Sequence, residues 1–479
     1  MNVDRNNIQV SNILKLRISE RRILLILGDF IMASIALFIS LYTWAVSERF
    51  IDFSVEFFQK RIPGWFFILP VLWVILMMEL YDVNKAGDWI STIRGIFIAG
   101  FVGLLLYLIL YVYYVDPPRS LLPRRSVAVF LVIVVVLTIF WRTLYIRVFH
   151  TQRFLRRVLL VGGGKSGRLI LQVINNLISK PFLMLGVIDD DPQKAGKFIE
   201  GYQVIGTGDS LFQIVNQLQV TDIIVAITGE IYGDTFQSIL DLQEMGVEIT
   251  RMQVVYEDLL GRVPIQTLEA NWILKSFLDE VRVSSFYVIG KRLMDIIGGL
   301  IGTLLMILVL PFVSLGIILD DGLPIFYRQI RSGKSGNHYR IIKFRTMKKD
   351  AEADGQPRWA VEDDLRNTRI GRFLRKTHLD ELPQFINVLK GEMSLVGPRA
   401  ERPALITMFQ EQVPFYRARL LVKPGITGWA QINFGYASTV EETIVKLEFD
   451  LFYIKHRNLF MDFIVLLRTP AMVLGFKGR

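Results

Sequence analysis

Two adjacent carboxylates, Asp380 and Glu381, are the residues best suited to chemistry. They lie within RIGRFLRKTHLDELPQFINVLKGEMSLVGPR, where basic residues stand on both sides. Pro383 is tolerated in the first turn of a helix, where its missing N–H breaks no hydrogen bond, and Gly391 is typical of a helix end. The sequence therefore predicts a helix that starts at the two carboxylates, continues through Gln384–Lys390 and ends at Gly391, so that both carboxylates lie at its positive end. There they should stay ionised and could ligate a hard cation or act as nucleophiles.

The composition limits the classes of protein and the kinds of site that are possible. The chain has 479 residues, of which 52% are hydrophobic, and a formal charge of +10. Its length predicts roughly two to four domains, and its apolar fraction exceeds what a soluble protein needs. There is no cysteine and there are only 4 histidines. Disulfides, thiolate metal sites and cysteine nucleophiles are therefore excluded, and a zinc site is a poor interpretation.

Four apolar runs near the N-terminus predict four transmembrane helices. Each is long enough to cross a hydrocarbon core of about 30 Å at about 1.5 Å per residue. The runs are residues 23–46, 62–80, 96–115 and 127–145. Basic residues before the first run and after the fourth favour a cytoplasmic N-terminus. We predict a four-helix transmembrane bundle over residues 1–150, with Asp29 turned toward its interior.

A glycine-rich turn follows in RRVLLVGGGKSGRLILQVI. Gly162, Gly164 and Gly167 satisfy G-x-G-x-x-G between an apolar strand and an amphipathic helix, which is typical of a Rossmann-like domain. A later strand leads to Asp189, a little beyond the usual offset of an acid that binds a ribose. We predict a small α/β domain over residues 151–262, in which these four residues are candidates for cofactor binding. The glycines could equally serve only to pack helix against strand.

A connector, residues 263–290, leads to another membrane segment. Residues 296–319 carry no charge and are long enough to span a bilayer. Pro311 interrupts this run, because proline removes a helical hydrogen bond and clashes with the preceding turn. We predict a re-entrant helix-break-helix over residues 291–320, with both ends at the same membrane surface. Periodicity alone does not separate this arrangement from a fifth span.

A strongly basic stretch begins after this segment. Residues 328–376 hold 14 Lys and Arg against 6 Asp and Glu. Within it, K-F-R-T-M predicts a strand that carries Lys343 and Arg345 on one face. Such a density of cations beside a membrane segment suits anionic headgroups or a phosphorylated substrate. Nucleic acid is a poor interpretation, because no binding module accompanies the charges.

The C-terminal part, residues 291–479, resembles the bacterial sugar transferases, the polyprenyl-phosphate glycosyl-1-phosphate transferases. The matching motifs, in order, are K-R-x-x-D-I, R-Q-x-R-x-G-x-x-G, K-F-R-T-M, L-D-E-L-P-Q-x-x-N-V-L-x-G-x-M-S-L-V-G-P-R and K-P-G-I-T-G-W-A-Q. The preceding helices and Rossmann-like domain resemble the large monotopic form of this family. Two residues depart from the family's pattern: Leu310 and His378 stand where serine is common.

The resemblance implies a multidomain α+β membrane protein whose catalytic domain, residues 321–479, sits on the re-entrant helix. The implied reaction transfers a hexose 1-phosphate from a nucleoside diphosphate sugar, expected to be a UDP-sugar, to undecaprenyl phosphate. It requires Mg²⁺, releases UMP and is the first membrane step of exopolysaccharide, capsule or O-antigen synthesis. The implied location is the bacterial inner membrane, with the catalytic domain facing the cytoplasm. The identity of the sugar and homo-oligomerisation stay open.

Residue by residue, the resemblance makes Asp380 the nucleophile and Glu381 its partner, and both are candidate Mg²⁺ ligands. We expect Asp380 to attack the sugar-bearing phosphorus, forming a covalent phosphosugar intermediate that the lipid phosphate resolves. Phosphoryl transfer needs charge neutralisation and alignment more than a proton shuttle. The candidate substrate-binding residues around the diphosphate are Lys343, Arg345, Arg375 and Arg399.

Two other functions stay open from the residues alone. A membrane-bound nucleotide-sugar dehydratase would need a second glycine fingerprint, and none follows Gly290. Its helical Tyr-x-x-x-Lys pair has the right spacing at Tyr339 and Lys343, but within a predicted strand. A non-enzymatic membrane scaffold would sense a nucleotide through its α/β domain. Asp380 and Glu381 would then be ordinary acids of the kind that helix starts favour.

Overall fold

The fold comes from a computed structural model of the chain. It describes residues 16–47, 53–60, 62, 64–113, 124–149, 155–229, 233–267, 284–349, 366–435 and 439–473. The chain divides into two compact units, Met1–Leu259 and Leu260–Arg479. Most of the predicted connector, residues 268–283, lies outside the described residues.

Three long apolar helices form most of the N-terminal bundle. In chain order its helices are α1 (Ile18–Ser47), α2 (Val55–Lys60), α3 (Leu69–Leu76), α4 (Val83–Ala86), α5 (Trp89–Tyr113) and α6 (Arg124–Phe149). By length and composition, α1, α5 and α6 could each cross a membrane. They correspond to the first, third and fourth predicted spans.

The second predicted span is not one continuous helix. Residues 62–80 contain a 3₁₀ turn (Gly64–Ile68), then α3, then part of a second 3₁₀ turn (Met78–Tyr81). Pro70 explains the new helix start at α3, because proline lacks the N–H that a continuing helix needs and fits in a first turn. The predicted bundle over residues 1–150 thus has three long helices and one interrupted segment in its described part.

A buried ion pair ties the interrupted segment to the long helices. The side chains of Asp29 and Arg142 are fully buried, and Arg142 NH2 lies 2.6 Å from Asp29 Oδ2. Arg142 NH1 also donates a hydrogen bond to the carbonyl oxygen of Leu80 at 3.0 Å. Because a bilayer offers no water to such a carbonyl, this bond allows the irregular backbone inside the bundle. Asp29 faces the bundle interior, as predicted.

Replacing this arginine tests the pair. Arg142→Leu is expected to lower the free energy of unfolding by about 3–5 kcal/mol, because it leaves the Asp29 carboxylate buried without a counter-charge. Adding Asp29→Leu should recover much of that loss, and the exposed Arg125→Leu in the same helix should have little effect. The thermal midpoint of the purified protein in detergent measures all three. A double variant no more stable than Arg142→Leu would contradict the pairing.

The rest of the first unit is a doubly wound α/β domain, as predicted. Its elements are β1 (Arg156–Val161), α7 (Lys165–Asn175), β2 (Phe182–Ile188), β3 (Phe198–Ile199), β4 (Tyr202–Gly206), α8 (Leu211–Leu218), β5 (Asp222–Val225), α9 (Gly233–Glu244), β6 (Glu248–Arg251) and α10 (Met252–Leu260). The strand order is β3-β4-β2-β1-β5-β6, and only the β3–β4 pair is antiparallel. The central strands are apolar because helices cover both faces of the sheet.

The second unit begins with one long helix, α11 (Ser285–Asp321), which has 37 residues. One helix includes Pro311 and the residues on both sides of it, and the bend predicted at this proline stays a prediction. Met306 and Val313, on either side of it, are buried in the same apolar cluster of the second unit. That packing holds the helix through the lost hydrogen bond. The path of α11 relative to a membrane stays a prediction.

The remaining elements fold against α11. They are β7 (Phe326–Ser332), β8 (His338–Phe344), α12 (Arg369–Lys376), α13 (Gln384–Lys390), β9 (Ser394–Val396), α14 (Pro403–Gln412), β10 (Gly425–Thr427), α15 (Trp429–Asn433), α16 (Val440–His456) and α17 (Leu459–Val473). The strands β7 and β8 form an antiparallel hairpin, and β9 and β10 pair in parallel.

One side of α11 is part of the core of the second unit, and the other is exposed. A Cβ on Gly302 would lie only 2.3 Å from the ring of Phe385, so glycine permits this close approach. Near the end of α11, Asp320 Oδ2 accepts a hydrogen bond from the N–H of Ile370 at 2.7 Å. The exposed apolar residues on the opposite side include Leu300, Leu304, Leu308, Phe312 and Leu315. Such a continuous apolar surface suits lipid.

Candidate active site

The carboxylate pair lies in a 3₁₀ turn, Leu379–Glu381, directly before α13. His378 precedes the turn in the left-handed conformation, with φ of 55°. Pro383 caps α13, and Gly391 ends it with φ of 83°. The predicted end at Gly391 is therefore confirmed, whereas the α-helix starts after Pro383 and not at the carboxylates. The carboxylates lie just before its first turn rather than within it.

Glu381 is held by two cations. Lys343 Nζ lies 2.7 Å from Glu381 Oε1, and Arg399 NH2 lies 2.9 Å from the same oxygen. Burial disfavours the ionised carboxylate, but the charges of Arg399 and Lys343 outweigh it and hold the pKa of Glu381 well below its ordinary value. Glu381 is thus an anion, as predicted, although the cations rather than the helix terminus are the main cause.

Asp380 has a different environment from its neighbour. Its carboxyl group has no hydrogen-bond or ion-pair partner among the described residues, although the residue is only 7% exposed. Burial raises the pKa of Asp380, and the negative charge of Glu381 raises it further, against the charge of Lys343. The predicted lowering of this pKa by the helix terminus therefore does not govern Asp380. A nearby cation would favour its ionised form.

Arg375 reaches the pair from α12. This helix starts at Thr368, whose Oγ1 accepts a hydrogen bond from the N–H of Gly371 at 3.0 Å. A Cβ on Gly371 would lie 2.0 Å from the carbonyl oxygen of Thr346, so only glycine allows this approach. Arg375 Nε donates to Thr346 Oγ1 at 3.2 Å, and its charge opposes the rise in the pKa of Asp380. No pattern in the sequence indicated the role of Thr346.

Arg345 lies away from the pair, in contrast to the prediction. The strand β8 ends at Phe344, so the alternation that would place Arg345 on the face of Lys343 no longer applies. Arg345 NH2 instead donates to the carbonyl oxygen of Asp321 at 3.0 Å and lies 3.3 Å from its carboxylate. This cation therefore satisfies the C-terminal end of α11, where the helix dipole favours positive charge.

Asn387 fixes β8 beside the carboxylates. Its side chain is fully buried, its Oδ1 accepts from the N–H of Ile342 at 3.1 Å, and its Nδ2 donates to the carbonyl oxygen of Arg340 at 2.8 Å. These bonds hold the strand on α13 and set Lys343 opposite Glu381. The L-P-Q-x-x-N motif contains Asn387, but the sequence alone assigned it no role.

The glycine-rich turn of the α/β domain is shaped by packing. Gly162 has a φ of 103°, which favours glycine. A Cβ on Gly167 would lie 2.0 Å from the carbonyl oxygen of Gly162, whereas one on Gly164 would meet no atom within 4 Å. The fold therefore requires glycine at the first and third predicted positions but not at the second.

Asp189 closes this turn from within the domain. Its Oδ2 accepts a hydrogen bond from the N–H of Gly163 at 2.7 Å and lies 3.0 Å from Lys194 Nζ. Burial opposes ionisation, but the hydrogen bonds of Lys194 and the backbone outweigh it and lower the pKa of Asp189. A ribose would have to replace these contacts. The cofactor-binding role of the four predicted residues stays a prediction.

Alanine substitutions at Gly167 and Gly164 test which of these glycines the packing of the domain requires. Gly167→Ala is expected to lower the free energy of unfolding of the α/β domain by about 1–3 kcal/mol, because its Cβ would overlap backbone. Gly164→Ala should leave stability nearly unchanged, since the space around it is open. Thermal unfolding in detergent, followed by hydrogen exchange of α7, measures both. Equal destabilisation by the two variants would show that the close approach of Gly167 is not limiting.

Two family models match the chain. One, described as bacterial sugar transferase, covers residues 286–476, and the other, described as CoA-binding domain, covers residues 77–249. Within the second region, the glycine turn is closely packed at Gly163. A Cβ on Gly163 would lie 2.4 Å from Ile199 Cδ1, and its N–H is already bound by Asp189.

Several curated proteins are similar to part of this chain. A UDP-N-acetylgalactosamine-undecaprenyl-phosphate N-acetylgalactosaminephosphotransferase of Aeromonas hydrophila is 38% identical over 234 residues, 49% of this chain and 54% of the relative. The UDP-glucose:undecaprenyl-phosphate glucose-1-phosphate transferase of Escherichia coli (strain K12) is 41% identical over 193 residues, 39% of this chain and 40% of the relative. An uncharacterized sugar transferase of Bacillus subtilis (strain 168) is 37% identical over 188 residues, 39% of this chain and 89% of the relative.

The matches thus span about half of the length of the first two relatives and most of the third. The bacterial sugar transferase model covers the region that contains the carboxylate pair and its cations. With the motifs and the fold, these matches identify a membrane protein of one known group. The chain belongs to the bacterial sugar transferase family.

Proposed function

We propose that this protein transfers a sugar 1-phosphate from a UDP-sugar to undecaprenyl phosphate, with UMP as the leaving group. The proposal rests on one observation: the two adjacent carboxylates have different environments. Glu381 is paired with Lys343 and Arg399, whereas Asp380 makes no such bond among the described residues. A carboxylate without a partner can act as a nucleophile, and the paired one organises the cations that a diphosphate needs.

The proposed reaction has two displacements at one phosphorus. An oxygen of Asp380 bonds to the phosphorus that carries the sugar, and the bond from that phosphorus to the bridging diphosphate oxygen breaks. UMP leaves with the electron pair. A phosphate oxygen of undecaprenyl phosphate then attacks the same phosphorus, and the acyl-phosphate bond breaks, which restores the Asp380 carboxylate.

The cations act on charge and alignment. Lys343 and Arg399 are paired with Glu381, and the charges of Lys343, Arg375 and Arg399 all act on Asp380. Arginine can hold phosphate oxygens with two parallel N–H donors, which fixes the direction of attack. Their combined positive charge also favours the ionised form of Asp380 that the first displacement requires.

The donor set is compatible with Mg²⁺. No group of three or more His, Asp or Glu side chains converges in the described residues. Mg²⁺ is commonly bound by one or two carboxylates, with water and substrate phosphates completing its shell. Asp380 and Glu381 Oε2 would hold it here, while Oε1 stays with the two cations. When bound, the ion neutralises charge on the diphosphate.

We further propose that both ends of α11 lie at the cytoplasmic surface of the inner membrane. Lys291 and Arg292 near its start, and Asp320 near its end, all bond to backbone groups of the second unit. A helix bound to one compact unit at both ends does not carry that unit across a bilayer. The lipid phosphate can then reach Asp380 from the surface where the soluble nucleotide sugar arrives.

Reconstitution tests the proposed reaction. The purified protein is incubated with Mg²⁺, undecaprenyl phosphate and each of four labelled donors: UDP-glucose, UDP-galactose and their acetamido forms. We expect labelled lipid from at least one donor and release of UMP. The absence of labelled lipid from all of them favours the scaffold, whereas a dehydrated nucleotide sugar favours the dehydratase. A tag after Arg479 that is reached from outside the cell would disprove the orientation.

A further inference from the structure

Arg419 makes no contact with either carboxylate of the pair, yet its side chain is only 3% exposed. Its NH1 donates to the hydroxyl of Tyr416 at 2.7 Å. Its NH2 donates to Asp450 Oδ2 at 2.9 Å and to the carbonyl oxygen of Arg399 at 3.1 Å. One guanidinium thus connects α16, the 3₁₀ turn Tyr416–Leu421 and the backbone of the arginine that reaches Glu381.

We propose that Arg419 is a positioning residue for sugar-phosphate transfer. It fixes the backbone of Arg399, so that the Arg399 guanidinium meets Glu381 and lies beside the diphosphate. The inference rests on the proposed function and adds to it a residue that acts through another residue rather than on the substrate.

The backbone around Arg399 is held at several neighbouring carbonyls. We call residues 396–401 the Arg399 segment. Its carbonyl oxygens accept hydrogen bonds as follows: Val396 from Lys291 Nζ, Pro398 from the N–H of Gly425, Arg399 from Arg419, Ala400 from Arg331 NH1, and Glu401 from the N–H of Ser332. Side-chain cations supply three of these bonds. The segment is therefore a fixed support from which the Arg399 side chain reaches Glu381.

Opposite charges keep Arg419 in this position. Glu401 Oε1 accepts from Lys446 Nζ at 2.9 Å and lies 3.5 Å from Arg419 NH1. Burial opposes ionisation of Glu401, but the charges of Lys446 and Arg419 outweigh it and lower its pKa to about 2. The anchoring acid therefore stays charged near neutral pH.

The geometry requires a guanidinium, because a planar fork directs NH1 and NH2 to different partners. The ammonium of lysine carries all its donors on one nitrogen and cannot reach Tyr416, Asp450 and the Arg399 carbonyl together. Stability alone is a weak reason for such a network, since buried ion pairs are often no more stabilising than apolar residues of equal volume. Because Arg419 donates a hydrogen bond to the backbone of Arg399, we infer that its role is to orient Arg399.

A double-mutant cycle tests the role. Arg419→Lys keeps the charge and is expected to lower kcat by about tenfold or more, since small displacements of aligned groups are costly. In an Arg399→Ala background, the same change should lower kcat by less than about twofold, because its target is gone. The control is Arg262→Lys, which alters another ion pair between an arginine and an acid of α16, with Arg262 Nε 3.4 Å from Glu448 Oε2. It should leave kcat nearly unchanged.

The outcomes separate the inference from the proposed function. If the two losses multiply, Arg419 acts independently of Arg399 and is not its positioning residue. If the wild-type protein makes no labelled lipid from any donor, the proposed function itself fails. Should Arg419→Lys not fold, Tyr416→Phe removes the hydroxyl that orients NH1. It enters the same cycle, where multiplying losses again contradict the inference.

Discussion

Asp380→Asn is expected to reduce sugar-phosphate transfer by a factor on the order of 10³ or more, because the amide keeps the shape of the side chain but cannot attack phosphorus. The fold should be nearly unaffected. Asp380 has no hydrogen-bond or ion-pair partner to lose among the described residues. Its pKa is raised by burial, so a neutral side chain costs little there. The thermal midpoint should be equal to that of the wild type or slightly higher.

Two measurements identify which step of the reaction fails in Asp380→Asn. Labelled lipid formed per minute reports the whole reaction, and label retained on the protein without lipid reports the covalent intermediate. Both should be lost in Asp380→Asn and kept in Glu411→Gln, an exposed carboxylate change in the same unit. Undiminished lipid product from Asp380→Asn would overturn the nucleophile assignment. Loss of lipid product with label still held on the protein would point to another nucleophile.

Glu381→Gln should differ by impairing both activity and stability. The amide leaves Lys343 and Arg399 facing each other without the shared anion, so we expect transfer to fall by about a hundredfold. The two cations are 18% and 32% exposed, so water screens part of the loss. The free energy of unfolding should therefore fall by about 1–3 kcal/mol, less than for a fully buried pair.

The loss of stability in Glu381→Gln should depend on pH. Pairing lowers the pKa of Glu381, so its stabilising effect is present in full above the ordinary glutamate pKa of about 4.3 and is lost as the pH falls toward the lowered value. The difference in thermal midpoint between wild type and Glu381→Gln should thus be largest near neutral pH and should narrow below about pH 4. A difference that is constant or grows on acidification would contradict the pairing.

Local sequence signals predicted the elements that position the site. Pro383 and Gly391 mark the ends of α13 because each constrains the backbone by itself. The glycine-rich turn predicted strand, turn and helix for the same reason. Long apolar runs predicted α1, α5, α6 and α11 from length and composition. In each of these cases a few neighbouring residues determine the result, so no tertiary contact had to be known.

The features of the fold and of the site that local patterns did not predict depend on tertiary contacts. Arg345 faces α11 because β8 ends one residue before it, and strand ends depend on the partners of the strand. The raised pKa of Asp380 comes from burial and from a neighbour, which the helix-terminus argument omitted. Pro311 lies inside a continuous helix because packing on both sides supports it. Asn387 and Arg419 bond to backbone groups distant in sequence, so no local pattern reveals their roles.

One side of α11 is buried in the second unit and the other is exposed and apolar, and this affects the order in which the protein folds. Synthesis proceeds from the N-terminus, so α11 leaves the ribosome before β7 and every later element exists. Because Gly302 and Met306 of α11 lie in the interior of the second unit, that unit has no complete core until its later elements fold onto this helix. The helix that we propose to lie in the membrane is therefore also the surface on which the unit with the carboxylate pair folds. Removing the helix would open the core instead of releasing a soluble enzyme.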